Sequence, residues 1–271
     1  MKTNRRKSLF GRKSAEILSV YFTAGYPYPE STPDIIGALA DGGIDMVEVG
    51  MPFSDPMADG PTIQESSTRA LRDGMTLARL LEGVAEARKR GYDDIPVVLM
   101  SYLNPLMQYG PQRLVADAVA AGVDALIVPD LPYATKGARH SELHAAAAEA
   151  GLPVIHLITP ETSTERLHLI DDATAANPGS FIYMVSDAST TGTREGFGEK
   201  QREVFRRIDS EGLRSPRLIG FGISNPATLA DAFPYSSGAI VGSLFIKKLA
   251  AAPTPAEAVA ALRADLGLPA V

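Results

Sequence analysis

Short apolar runs rich in Val, Ile and Leu recur along the chain at 17–24, 46–50, 97–102, 125–129, 154–159, 181–186, 217–222 and 239–242, bounded by turn residues. Unbroken runs of this length suit strands covered on both faces, as in a parallel sheet. Between them, apolar residues recur at helical spacing over 32–41, 76–90, 111–121, 141–150, 164–175, 200–210 and 226–233, and after the last strand over 244–251 and 255–266. Thr32-Pro33 and Asn225-Pro226 read as helix starts, and Gly122 and Gly151 as helix stops. Strand-then-helix repeated eight times predicts an α/β fold, a (β/α)8 TIM barrel. A doubly wound open sheet is the other arrangement, but eight units in 271 residues favour closure. No linker or shift in composition divides the chain, so residues 1–271 read as one barrel domain.

The spacing is uneven where chemistry is expected. The second and third strands start 51 residues apart, at Met46 and Val97, and the sixth and seventh 36 apart, at Phe181 and Arg217. Loops at the carboxyl ends of barrel strands build the active site, so these two insertions mark it.

Composition narrows the classes. The chain has 26 Lys and Arg against 32 Asp and Glu, a net charge of −6, which argues against a nucleic-acid partner. It has no cysteine, excluding thiolate catalysis, disulfides and cysteine zinc sites. The first fourteen residues carry six Lys or Arg and no acid; they predict an extra N-terminal helix with Leu9 and Phe10 packed and its basic face solvated. No apolar run is long enough to span a membrane, and the expected location is cytoplasmic.

The strand-2 run Met46-Val47-Glu48-Val49-Gly50 holds a carboxylate amid apolar neighbours, which is costly unless the group is used or paired. Alternation puts Glu48 on the barrel's inside if Val47 and Val49 face the helices. A buried Lys or Arg partner is the other explanation, yet no other strand offers one mid-strand. The following loop has three prolines and reads as rigid. Its Asp55 and Asp59 each suit either the mouth or ordinary turn capping. Two carboxylates in one cleft can divide labour, one moving a proton and one staying ionised.

Glycines close the late strands: Thr191-Gly192 after the sixth, Gly220-Phe221-Gly222 at the seventh, Gly242-Ser243 at the eighth. Backbone N–H groups there, with a helix start behind them, suit a phosphate. Such donors reconcile an anionic ligand with a net negative chain. Residues 186–198 read as a lid. Gly220-Phe221-Gly222 lacks the third glycine of a dinucleotide fingerprint, and His140 with His144 lacks a zincin's adjoining Glu, so these read as a tight turn and a solvated helix face. His156 reads as a core histidine, and no metal site is expected.

The segment VEVGMPFSDPMADGPTIQ at 47–64, with the later TTG, GFGIS and VGS, resembles the tryptophan synthase alpha subunit family over essentially the whole chain. The resemblance implies a carbon–carbon lyase of tryptophan biosynthesis, cleaving indole-3-glycerol phosphate to indole and glyceraldehyde 3-phosphate. It implies Glu48 as general acid and base, Asp59 as the stabiliser of the protonated indole nitrogen, and Tyr183 beside the substrate. Phosphate donors map onto Gly192, Gly222, Gly242 and Ser243, and the substrate pocket onto Ile63, Leu99, Tyr102, Leu126, Thr191 and Phe221. No cofactor is implied in this chain; indole passes to a pyridoxal-phosphate-dependent beta subunit, in an α2β2 heterotetramer. A stand-alone indole-releasing lyase and a non-catalytic sugar-phosphate-binding barrel are the alternatives. Two departures stand out: Asp187 where many members carry arginine, and Gly25-Tyr26-Pro27 where many read Gly-Asp-Pro.

Overall fold

The computed structural model describes residues 5–131, 133, 141–186 and 196–271. Eight parallel strands pair in chain order and close between the last and the first: β1 (Ile17–Thr23), β2 (Met46–Gly50), β3 (Val97–Met100), β4 (Ala125–Ile127), β5 (Val154–Ile158), β6 (Ile182–Val185), β7 (Arg217–Gly220) and β8 (Gly238–Val241). This is the predicted (β/α)8 barrel, and the open sheet is excluded.

Among the described residues the helices are α1 (Arg5–Arg12), α2 (Thr32–Asp41), α3 (Pro61–Arg72), α4 (Leu77–Lys89), α5 (Leu103–Tyr109), α6 (Pro111–Ala121), α7 (Ser141–Glu149), α8 (Thr164–Ala175), α9 (Glu199–Ser210), α10 (Pro226–Ala232), α11 (Ser243–Ala251) and α12 (Pro255–Asp265). Two were not anticipated, α3 and α5. α3 occupies the long insertion after β2, and its polar run of Gln, Glu, Ser and Thr obscures the helical period. α5 is only 7 residues long and carries a proline in its first turn, where the missing N–H costs nothing. Asn225 caps α10 with a reciprocal box, its side chain accepting from Thr228 N while the Thr228 hydroxyl accepts from Asn225 N.

Strand alternation creates two cores. Val20, Phe22, Val47, Val49 and Val97 face outward onto the helices. Ile17, Met46, Val98, Ile155, Phe181 and Leu218 fill the barrel's interior. Leu9 of α1 is fully buried against that inner cluster, with Phe10 beside Phe181, so α1 closes the end of the barrel where the strands begin.

The basic face of α1 is not simply solvated. Arg6 is only 4% exposed and donates to the Gly179 carbonyl at 2.9 Å. Arg5 pairs with Asp124 at 3.0 Å and Asp93 at 3.2 Å. With few apolar side chains to anchor it, α1 uses the aliphatic stems of its arginines for packing and leads their heads to acceptors. Asp124 also accepts from Arg88 and from Val97 N, each at 2.9 Å, so this buried carboxylate meets two guanidiniums and a backbone donor.

His156 is half-buried rather than a core residue, lining a second cavity of about 380 Å³. Its ring stands edge-on to Tyr133 at 5.0 Å and 6.1 Å from His144; burial, with His144 and Arg166 nearby, pushes it down to about 4. His144 is therefore partly covered, and not on a solvated face, its ring meeting that of His156 on β5; His140 lies outside the described residues.

Candidate active site

β2 is buried along its whole length, and Val47 and Val49 pack against the helices as alternation requires. Glu48 consequently points into the barrel and is fully buried. No cation meets it. Its Oε1 accepts from the Ser19 hydroxyl on β1 at 2.9 Å, and its Oε2 has no partner among the described residues. Burial raises the carboxyl to about 8, with the Ser19 hydrogen bond opposing the shift. Near neutral pH it is a protonated acid aimed into a cavity of about 300 Å³.

Asp59 lines the same cavity, whereas Asp55 is exposed and accepts from its neighbour Ser54. The structure thus separates two aspartates that spacing left equivalent. Burial raises Asp59 to about 6, opposed by a hydrogen bond from the Tyr102 phenol. At pH 7 Asp59 is mostly ionised while Glu48 is mostly neutral, the division two carboxyls need for separate roles. Tyr102 also accepts from Ala58 N at 3.0 Å and stacks at 5.1 Å on Phe53, so it holds the proline-rich loop in place.

Tyr21 on β1 and Tyr183 on β6 cross the cavity wall, both buried. A side chain at Gly50 would overlap the Tyr21 hydroxyl, and one at Gly220 the Tyr183 hydroxyl. Each tyrosine therefore lies over a glycine of the neighbouring strand. Burial, then the charges of Glu48 and Asp59, raise the Tyr183 phenol well above its usual range, so it remains a neutral donor.

The turn after β7 holds Phe221 and Gly222 both at positive φ, 69° and 79°. Phe221 is not a glycine, and that backbone is held by the Ser186 hydroxyl donating to its carbonyl at 2.6 Å. Gly222, Gly242 and Ser243 line the cavity, and Gly242 is the N-cap of α11, whose first N–H groups have no intrahelical acceptor. Ile63 and Phe221 supply apolar wall.

Three expected pocket residues are off the cavity lining: Tyr102, which braces its loop from behind, and two leucines. Leu99 and Leu126 point outward into the strand–helix core, and Met100 and Ile127, one residue on, face the interior. A shift of one residue exchanges the faces of a strand, which apolar runs with no polar alternation do not reveal. Thr191, Gly192, Asp187 and most of the expected lid lie outside the described residues. The second departure is structural: Tyr26 is buried, with the Arg69 guanidinium 5.4 Å above its ring.

Sequence reasoning missed Tyr21, Met100, Ser224 and Lys247 on the lining. Tyr21 could have been found from its even spacing with Ser19 and Thr23 on β1. Lys247 lies one turn into α11, exposed at the rim, and the buried Ser224 hydroxyl has no partner among the described residues. No cluster of His, Cys, Asp or Glu among the described residues could hold a metal.

A neutral acid, an ionised carboxylate and glycine-rich strand ends at the mouth of a closed eight-stranded barrel define an acid–base (β/α)8-barrel enzyme. The family model for the tryptophan synthase alpha chain matches residues 10–267, and the chain belongs to that family. It is a carbon–carbon lyase of tryptophan biosynthesis. It is 53% identical over 256 residues to the tryptophan synthase alpha chain of Parabacteroides distasonis, covering 94% of this chain and 96% of that one. It is 43% identical to the alpha chain of Bacteroides fragilis, covering 98% and 97%. The crystal structure of the alpha chain from Legionella pneumophila superposes with a TM-score of 0.81 at 32% identity, covering 97% and 96%. A structure of the tryptophan synthase α2β2 complex from Pyrococcus furiosus gives 0.79 at 34%, covering 93% and 97%.

Proposed function

We propose that this single barrel carries out its family's alpha reaction, cleaving indole-3-glycerol phosphate with Glu48, Asp59 and Tyr183 as the catalytic groups. The observation that carries the residue assignment is Glu48: buried on the cavity lining, met by no cation among the described residues, and protonated near neutral pH. Neutral Glu48 gives its proton to indole C3, and the positive charge developing on the ring nitrogen is met by ionised Asp59. The glycerol hydroxyl on the carbon attached to the ring then returns a proton to the Glu48 carboxylate. As the carbon–carbon bond breaks, its electrons restore the aromatic ring and that carbon becomes the aldehyde. Glu48 ends as it began. Tyr183 orients the reacting groups as a neutral donor.

Gly222, Gly242 and Ser243, together with Gly192, bind the phosphate through backbone amides, supported by the start of α11. Ile63 and Phe221 flank the ring, and Tyr102 acts by holding the Asp59 loop; Thr191 is assigned to the pocket by the family resemblance alone. The chain itself uses no cofactor. It hands indole to a pyridoxal-phosphate-dependent beta subunit in an α2β2 assembly in the cytoplasm, a reading supported by the complex formed by the Pyrococcus furiosus relative.

Turnover of indole-3-glycerol phosphate by the wild type and by Glu48→Gln and Asp59→Asn, each with and without the beta subunit, tests the reading. The expected result is loss of turnover in both variants with retained binding of glycerol 3-phosphate. Variants as active as the wild type would sink the residue roles, and full wild-type activity without the beta subunit would sink the partnership.

A further inference from the structure

The geometry points to Ser19 as the positioning residue that decides which oxygen of Glu48 carries the reacting proton. This inference rests on the role proposed for Glu48 and extends it to a second strand.

Ser19 lies on β1 in register with Met46, one pleat below Glu48 on the inside of the barrel, and both residues are fully buried. Its hydroxyl donates to Glu48 Oε1 at 2.9 Å. Its neighbours in the barrel wall, Met46 on β2 and Ile240 on β8, are apolar, so they offer the hydroxyl hydrogen no rival side-chain acceptor. A carboxylic acid accepts readily at its carbonyl oxygen and donates from its hydroxyl oxygen. With Ser19 donating to Oε1, that oxygen keeps the carbonyl character and the proton stays on Oε2. Oε2 is the oxygen with no partner among the described residues, in a side chain that lines the cavity. One buried hydroxyl therefore fixes both the rotation of the carboxyl and the side from which its proton leaves.

The other groups facing Glu48 do not substitute for this contact. Tyr21 on β1, Tyr183 on β6 and Asp59 from the loop after β2 share its cavity, and β3 contributes Val98 and Met100, which are apolar. The Ser19 hydrogen bond also holds the carboxyl below the value that burial alone would set.

The test is the pH dependence of kcat/KM for the wild type, Ser19→Ala and Ser19→Thr. Alongside it, Glu48 is titrated by carbon-13 NMR of its carboxyl, assigned with Glu48→Gln. In Ser19→Ala the alkaline limb and the carboxyl titration both move up by about one pH unit, the scale of one hydrogen bond to a charged group. Its kcat falls about tenfold at unchanged KM, an effect on the barrier and not on binding. Ser19→Thr keeps a hydroxyl and returns both readouts toward the wild type. A loss of activity with neither readout moved would mark Ser19 as packing only and overturn the inference. Should Ser19→Ala not fold, Ser19→Cys, a weaker donor, is expected to shift the titration in the same direction, and an unmoved titration overturns the inference. Failure of the proposed reaction would show differently: the wild type would not cleave the substrate, while the Glu48 titration would still respond to Ser19.

Discussion

The two ends of this barrel each bury a carboxylate and treat it oppositely. At the end closed by α1, Asp124 accepts from Arg5, Arg88 and Val97 N, and both of its cationic partners are largely covered. At the open end, Glu48 has, among the described residues, one serine hydroxyl, no cation and an oxygen left without a partner. The first arrangement satisfies a buried charge, so removing one member strands the others. The second leaves the charge uncompensated, and burial answers by keeping the proton on. The floor is built to hold and the mouth to react, from the same residue chemistry.

The contrast is sharpest under substitution. Glu48→Gln should lower turnover by about 10³-fold, within the range for loss of a general acid and base. The same change should stabilise the protein as pH rises. The folded-state value of about 8 exceeds the ordinary 4.5, so the folded chain holds an extra proton between them, and stability falls as pH climbs through that window. Gln carries no such dependence. Melting curves should therefore show a gain over the wild type that is small near pH 4 and largest above about pH 8; a gain independent of pH would break the account of Glu48.

Asp124→Ala should do the reverse, costing about 3–5 kcal/mol by stranding Arg5 and Arg88. Turnover of the folded fraction should be unchanged, and denaturant unfolding beside an activity assay checks both halves. A mild effect on stability would show the floor network to be replaceable by water.

Smaller in size is the pH profile of kcat/KM. It should rise through about 6 as Asp59 ionises and fall through about 8 as Glu48 loses its proton. Asp59→Asn should remove the acid limb alone.

The smallest effect belongs to the rim. Lys247 is exposed, so Lys247→Gln should raise KM by only about threefold at low salt, and the difference should shrink as salt screens the charge. A change in kcat would place Lys247 deeper in the chemistry than its position indicates.

Much of this was legible beforehand. Eight apolar runs separated by helical patterns imply the barrel, and a glutamate inside one of them, followed by a loop of three prolines and two aspartates, marks the mouth. Leu99 and Leu126 were misplaced because β3 and β4 are apolar on both faces, and period-2 alternation disappears when neither face is wet. The charge run of α1 suggests a solvated face because it says nothing about acceptors that arrive from 88 and 119 residues away. α3 escaped notice because its polar surface outweighs its buried stripe of Ser66, Ser67 and Ala70.

The sequence by itself determined the eight strand–helix units, the family, and the identity of Glu48 as a carboxylate that burial would have to explain. Those features are local, since periodicity, turn residues and a contiguous motif need no knowledge of what folds beside them. Only the tertiary structure decided that Met100 and not Leu99 lines the interior, and that Ser19 is the group touching Glu48. Each of those depends on which strand lies alongside which, in what register and with which face turned inward, and barrel closure sets all three together.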